Sequence, residues 1–328
     1  IKKGLIKLSE SLKNIIFHRS LGTMEDKIIR VNYIVSKYSE CFKADSKLAI
    51  TATKLCKADL CSEVVYEMPE LQGIIGSIYA SEKNYPQEVS IAIKEQYSPL
   101  GPSDKCPSIP ESAILSFSDK IDSLVGFIAM DMKATGSKDP FGLRRSCLGI
   151  IRIILEKRIR ISIIDVINYS YASYEKQNIK LKLSNNESNK STIDFIYDRL
   201  RVFLRDRGLS QSAIQAIFEV SEFTDILDDV DKINALSLFM EDAKGKDFLS
   251  ILKRVRRILN IEEKRDNVLI KPEPKKELLK QKEEIDLYKS YLKYSKKAQS
   301  SLKKKNYIEA MKIFSEISLE LENFFENV

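Results

Sequence analysis

One histidine, His18, is all the imidazole this 328-residue chain possesses. That scarcity excludes a metal site built from several histidines. A Ser-His-Asp arrangement would have to use His18, which the pattern puts in an N-terminal helix with no partner motif nearby. A surface or packed His18 is the reading the residues favour. The five cysteines, Cys41, Cys56, Cys61, Cys106 and Cys147, contain no C-x-x-C pair, and their odd number argues against a disulfide framework. They read as reduced structural thiols of a cytoplasmic protein. No apolar run reaches the roughly 18 residues needed to cross a membrane. The opening IKKGLIKLSESLKN lacks the apolar core and cleavage site of a signal peptide. With no initiator Met before it, the chain is expected to begin inside a longer protein. Neither a G-x-x-x-x-G-K-[ST] loop nor a G-x-G-x-x-G turn is present. The segment TGSKDPF has Gly, Ser and Lys in the wrong order, with no strand before it.

Glycine and proline are also few, 11 and 9, so little interrupts regular structure. What is abundant is apolar and charged: 43% hydrophobic residues can fill buried cores, and 31% charged residues can coat an exterior. The combination points to a soluble, mostly helical protein, and the length to two or three domains. A net charge of +7 and a pI near 8.9 favour a polyanionic partner, the alternative being the Lys- and Ile-rich usage of an AT-biased genome.

Residues 5–60 read as several amphipathic helices, with Ile28, Val31, Ile34 and Val35 at helical spacing. Gly73 and Gly76, three apart on an apolar face, suit a close helix–helix approach. SPLGPSDKCPSIP (98–110) is a surface loop, and a helix restarts at Glu111. Pro140 suits the first turn of the next helix, FGLRRSCLGIIRIILEKRI, whose apolar centre implies burial on most sides. The polar run 173–192 reads as an inter-domain linker between a first domain over 1–172 and a second over 193–328. In the second, Ile193–Asp206 and Gln211–Val220 read as helices broken at Gly208. KDFLSILKRVRRILNIEE follows as a basic helix with Phe248, Leu252, Val255 and Leu259 inward. Two more helices close the chain, and no strand pattern stands out.

Among the acids, Asp119 and Asp122 share one helix face, a spacing able to hold a divalent metal or, without further ligands, local salt bridges. Asp228, Asp229 and Asp231 read as a solvated turn. No catalytic centre and no metal site emerge.

The middle of the chain carries distinctive words. They are Glu70-Leu71-Gln72-Gly73 with Gly76 and Tyr79-Ala80; Glu88-Val89 through Gln96-Tyr97 and Pro99; and Asp119-Lys120-Ile121-Asp122-Ser123-Leu124-Val125-Gly126. Thr135-Gly136-Ser137-Lys138-Asp139-Pro140-Phe141-Gly142-Leu143-Arg144-Arg145 is followed by Gly149-Ile150-Ile151-Arg152-Ile153, and Leu21-Gly22-Thr23-Met24 with Asp26-Lys27 stands upstream. In this order they resemble the C-terminal half of the β subunit of bacterial glycyl-tRNA synthetase. Lys253-Arg254-Val255 with Ile258-Leu259, and Asn306-Tyr307 through Phe324-Phe325-Glu326-Asn327-Val328, resemble the helical anticodon-binding domain shared with arginyl-tRNA synthetases. That domain's last helices are expected to lie beyond Val328.

The resemblance implies an all-α chain: an HD-like helical domain, then a helical-bundle anticodon-binding (DALR-like) domain. HD phosphohydrolases hold metal with a His…His-Asp…Asp set. Here Leu55-Cys56-Lys57-Ala58-Asp59 offers no histidine, and Asp119 or Asp122 would be a relic of the last ligand. The resemblance therefore implies an HD-like scaffold without HD chemistry. It also implies a partner α subunit, in an α2β2 assembly, that uses ATP and Mg to activate glycine. This chain would hold no cofactor and would position tRNA(Gly), with neither DNA nor a membrane as partner. Phosphate contacts need cations, and the candidates are Lys138, Arg144, Arg145 and Arg152 in the first domain and Arg254, Arg256 and Arg257 in the second, with Lys303, Lys304 and Lys305 behind them. For Arg144 and Arg145, pairing with Asp119, Asp122 or Asp139 is the competing reading. A degenerate HD-type phosphohydrolase and a structural helical interaction module are the alternative functions.

Overall fold

A computed structural model of the chain describes residues 4–132, 139–266, 274 and 276–328. The backbone is helical almost throughout, as expected of an all-α protein. By contacts it divides into two units, residues 1–207 with 221–227, and residues 208–220 with 228–328.

The first unit starts with α1 (Leu5–Ser9) and a small antiparallel hairpin, β1 (Ile16–His18) and β2 (Gly22–Thr23). His18 therefore sits in a strand, not in a helix. The chain reverses through Gly22 at φ +90°, and Thr23 then opens α2 (Met24–Tyr38) with a reciprocal capping box to Asp26. There follow α3 (Ser46–Leu55), α4 (Glu63–Glu67), α5 (Ile74–Glu82), α6 (Gln87–Glu95), α7 (Pro110–Ala129), α8 (Leu143–Glu156), α9 (Ile163–Lys176) and α10 (Asn185–Asp206). Helix α7 is the axis of this unit and contacts α2, α3, α6, α8, α9 and α10. Its Ile114, Leu115, Phe117, Ile121, Leu124, Val125 and Ile128 are all buried, so apolar side chains leave it on every side. The polar residues of such a helix are buried with the rest, and each needs a partner.

Two expected boundaries take a different form. Helix α8 begins at Leu143 rather than at Pro140, because Pro140 lies inside a turn closed by Gly142 N–H on the Asp139 carbonyl, and Gly142 is left-handed at φ +63°. The run 173–192 is not an irregular linker. Helix α9 continues to Lys176 because Tyr171 and Tyr174 extend its buried stripe. The amides of Lys182 and Leu183 then dock on the Ala129 carbonyl, and the Ser184–Glu187 capping box starts α10, which buries Ser188 and Thr192. Polar composition here serves caps and short hydrogen bonds rather than an unstructured spacer.

The second unit contains α11 (Gln211–Val220), most of α12 (Ile226–Glu241), α13 (Ala243–Asp266), α14 (Lys282–Lys303), α15 (Tyr307–Ser315) and α16 (Ser318–Asn327). Phe239, Phe248 and Ile317 form its buried centre, flanked by Leu252, Phe314 and Leu321. The inward stripe of α13 holds at Phe248, Leu252 and Val255 but runs out at Leu259, which is 41% exposed. The expected acidic turn is instead the first turns of α12. Asp229 is buried there, and Asp228 receives Tyr307 Oη at 2.6 Å and the ammoniums of Lys232 and Lys305 at 2.8 and 2.7 Å. Partners from α14–α15 make these acids internal.

Candidate functional site

The words that mark the sequence converge on one buried polar centre around α7. Asp122 has no exposed side-chain surface, and Arg30 of α2 grips it with Nε–Oδ1 at 2.8 Å and Nη2–Oδ2 at 3.3 Å. The second donor edge of Arg30 reaches Gln177 Oε1 at 2.7 Å and the Leu21 carbonyl at 3.2 Å. Lys27, one turn earlier on α2, lies 3.2 Å from Asp122 and 3.4 Å from Asp119, and donates to Ser123 Oγ at 2.7 Å. Lys57 closes the set at 3.3 Å from Asp119, its ammonium 3.8 Å from the centre of the Tyr97 ring. Lys120 turns the other way, donating to the Tyr97 and Ser98 carbonyls at 2.9 and 3.3 Å and to Ser116 Oγ at 2.8 Å.

Burial and charge compete at each of these groups. Desolvation alone would raise the Asp119 pKa, but Lys27, Lys57 and Lys120 outweigh it and hold the carboxyl well below the usual range. Desolvation would likewise discharge Lys57, yet Asp119 keeps it above its ordinary value. At Lys120 the compensation falls short. Burial, with repulsion from Lys57 and Lys27 against attraction by Asp119, brings it down to about 8.

Asp119 and Asp122 do share a face, but that face is occupied by covalently attached cations. The ammoniums of Lys27 and Lys57 and the guanidinium of Arg30 take positions beside these carboxylates. A divalent ion would bring like charge within 4 Å of these groups, so the residues present do not fit a metal.

The glycines of the distinctive words serve the same centre. A Cβ on Gly126 would overlap the Tyr174 hydroxyl, which donates to the Asp122 carbonyl at 2.8 Å. Gly73, at φ +81°, and Gly76 donate their amides to Asp59 Oδ2 at 2.6 and 3.0 Å, while Gly76 also lies against Ile93 of α6. The expected close approach of helices exists, with a buried carboxylate clamped beside it. His18 is packed edge-on against Phe127 and Phe141, and its Nδ1 accepts the Ser20 amide.

The cations proposed from sequence separate into different roles. Lys138 lies outside the described residues. Among the described residues, Asp119 and Asp122 form ion pairs with Lys27, Arg30 and Lys57. Asp139 instead caps α8, accepting the Leu143 and Arg144 amides at 2.8 and 2.9 Å. Arg145 is exposed beside a small cavity. Arg152 is corrected to an internal clamp. It is 6% exposed and spends its donors on Glu156, the Gly101 carbonyl and the Asp104 carbonyl at 2.8, 2.8 and 2.6 Å, pinning the 98–110 loop.

On α13, Arg254, Arg256 and Arg257 are all exposed, and Arg254 lies over the Phe325 ring at 4.4 Å. Arg256 and Arg257 share a shallow surface with Lys253, Asn260, Ile261 and Lys264. At 1.5 Å per residue that face runs about 16 Å along the helix. Lys253 and Lys264 complete a stripe that the sequence signalled through i, i+3, i+4 and i+11 spacing. Lys27 and Arg30, the cations missed at the buried centre, also had a signal: they lie at core spacing with Val31 and Ile34 on α2.

Comparison with known proteins agrees with these words. Residues 1–219 match the family described as glycyl-tRNA synthetase beta subunit. A glycine–tRNA ligase beta subunit of Ruegeria sp. (strain TM1040) is 35% identical over 319 residues, 97% of this chain and 44% of its own length. One from Dinoroseobacter shibae is 35% identical over 289 residues, 81% of this chain and 40% of its own. The chain thus spans under half the length of these curated relatives. By a family match that runs through the whole buried centre and beyond it, this chain belongs to the glycyl-tRNA synthetase beta subunit family.

Proposed function

We propose that the chain is the tRNA-handling part of a glycine–tRNA ligase, with the exposed face of α13 as its principal contact with tRNA(Gly). The observation that carries this reading is the alignment of Lys253, Arg256, Arg257 and Lys264 along one solvent-facing helix surface. Guanidiniums and ammoniums in a row match a phosphate backbone, because each contact releases condensed counterions. Arg254, placed over the Phe325 ring, offers a planar cation for stacking on an unpaired base. Family membership supports a partner α subunit; on this reading the assembly is α2β2, and ATP and Mg are handled in the α subunit and not here. The buried centre around Asp119 and Asp122 then serves as scaffold, since its cations are committed to internal carboxylates.

The test is binding of tRNA(Gly) and of a non-cognate tRNA across a salt series, with the parent chain and with Arg256→Glu/Arg257→Glu. Parent affinity should fall steeply with salt. The double reversal should weaken binding and flatten the log–log slope by about 1.4–1.8, at roughly 0.7–0.9 for each of two phosphates no longer neutralised. Unchanged affinity and slope would remove α13 from the interface. Equal, negligible binding of both tRNAs by the parent chain would sink the reading itself.

A further inference from the structure

A cavity of about 190 Å³ opens between residues 97–100, the Asp119–Lys120 edge of α7 and the start of α8. It is smaller than a typical pocket for a whole organic ligand, so it suits one functional group of a ligand. Lys120 and Asp119 line its floor, and Arg145 and Ser146 line it from α8.

The charge behind that floor is unbalanced. Four buried cations, Lys27, Arg30, Lys57 and Lys120, stand with two carboxylates in salt-bridge contact, Asp119 and Asp122. A further buried carboxyl, Asp59, faces the Gly73 and Gly76 amides, and desolvation raises its pKa in spite of them. At the α8 end, the Asp139 carboxylate is committed to two backbone amides. Positive charge in excess within a poorly screened interior projects into the nearest opening, where it favours an anion. Lys120 lines this opening, and its stem packs against α8 where Gly149 leaves room for it. A Cβ on Gly149 would come within 2.6 Å of the Lys120 stem.

We propose that this cavity binds a phosphoryl group, with Arg145 and Ser146 as direct donors and the buried lysines supplying the field. An exposed guanidinium beside Lys120 matches the paired oxygens of a phosphate better than it matches a neutral ligand. The phosphoryl group can belong to an RNA end or to a free phosphate or diphosphate. The site lies in the first unit and does not depend on α13, so it stands or falls apart from the tRNA reading.

The experiment titrates inorganic phosphate, and acetate as a control, into the full chain by calorimetry and phosphorus NMR at pH 7 and pH 9. Saturable phosphate binding is expected, with acetate weaker. Arg145→Gln, a change at an exposed position, should weaken phosphate at least about tenfold, the value of a charge-assisted hydrogen bond. Arg256→Glu/Arg257→Glu should leave it unchanged. Affinity should fall from pH 7 to pH 9 as Lys120 loses its proton near 8, although phosphate itself gains charge over that range. Competition then assigns the source. Displacement by a 5′-phosphorylated RNA but not by its dephosphorylated form indicates an RNA end, and displacement by inorganic diphosphate alone indicates a free ligand. The absence of saturable phosphate binding overturns the proposal, as does full binding by Arg145→Gln or equal binding of acetate.

Discussion

At the scale of single residues, the decisive fact is that Asp122 is wholly buried and held by two cations. A buried pair adds little over an apolar pair, but breaking one strands a charge. Asp122→Ala should therefore cost about 3–5 kcal/mol of stability, measured by urea unfolding; a loss below about 1 kcal/mol would show that solvent reaches Arg30. Lys120 carries a pH signature. Its folded pKa, about 8, lies below the ordinary 10.5, so between these values the unfolded chain binds more protons and stability rises with pH. Buried cysteines such as Cys56, pushed up to about 12 by burial, act in the opposite sense, so the comparison must be with a variant. Relative to Lys120→Met, the parent should gain on the order of 2–3 kcal/mol from pH 7 to pH 10. A pH-independent difference would place the Lys120 pKa near its free value.

Elements show where local rules are legible and where they give way. The helices of α2, α7 and α8 follow from apolar spacing, and Asp139 follows from the preference of short acids for helix starts. Asp139→Ala removes the acceptor of two amides and should destabilise the fold by about 1 kcal/mol, seen as a small drop in Tm. Asp139→Asn should recover most of it. The start of α8 is ambiguous in sequence because Pro140 serves equally in a turn and in a first helical turn, and only Gly142 in the left-handed region decides between them. The run 173–192 is deceptive because Ser, Asn and Lys mean linker when unpaired and caps when a carbonyl such as that of Ala129 is near. Nothing local reveals that carbonyl. Arg152 looks like its neighbours in sequence, and only the fold brings the Gly101 and Asp104 carbonyls to it. By contrast Arg256 and Arg257 face solvent as their spacing suggests.

Across the whole molecule the two units differ in how they are filled. The first is organised around α7, buried along its length. In the second, Leu259, Ile261, Leu292, Leu302 and Leu319 are all at least 41% exposed, and the buried centre is small. Fewer buried apolar contacts mean cheaper local opening. Native-state hydrogen exchange should find the slowest amides in α7 and in the buried turns of α2 and α8, and amides in α13–α16 exchanging at least about tenfold faster. Uniform protection over both would show that they open together.

The lysines beside Asp119 and Asp122 have one more consequence. A metal ion in that place would come and go with supply, and a chelator would empty the centre. An ammonium on a side chain is tethered at fixed stoichiometry, needs no loading step and cannot be exchanged for a competing ion. The unit built on α7 is thus assembled once, at synthesis, with its counter-ions written into the polypeptide.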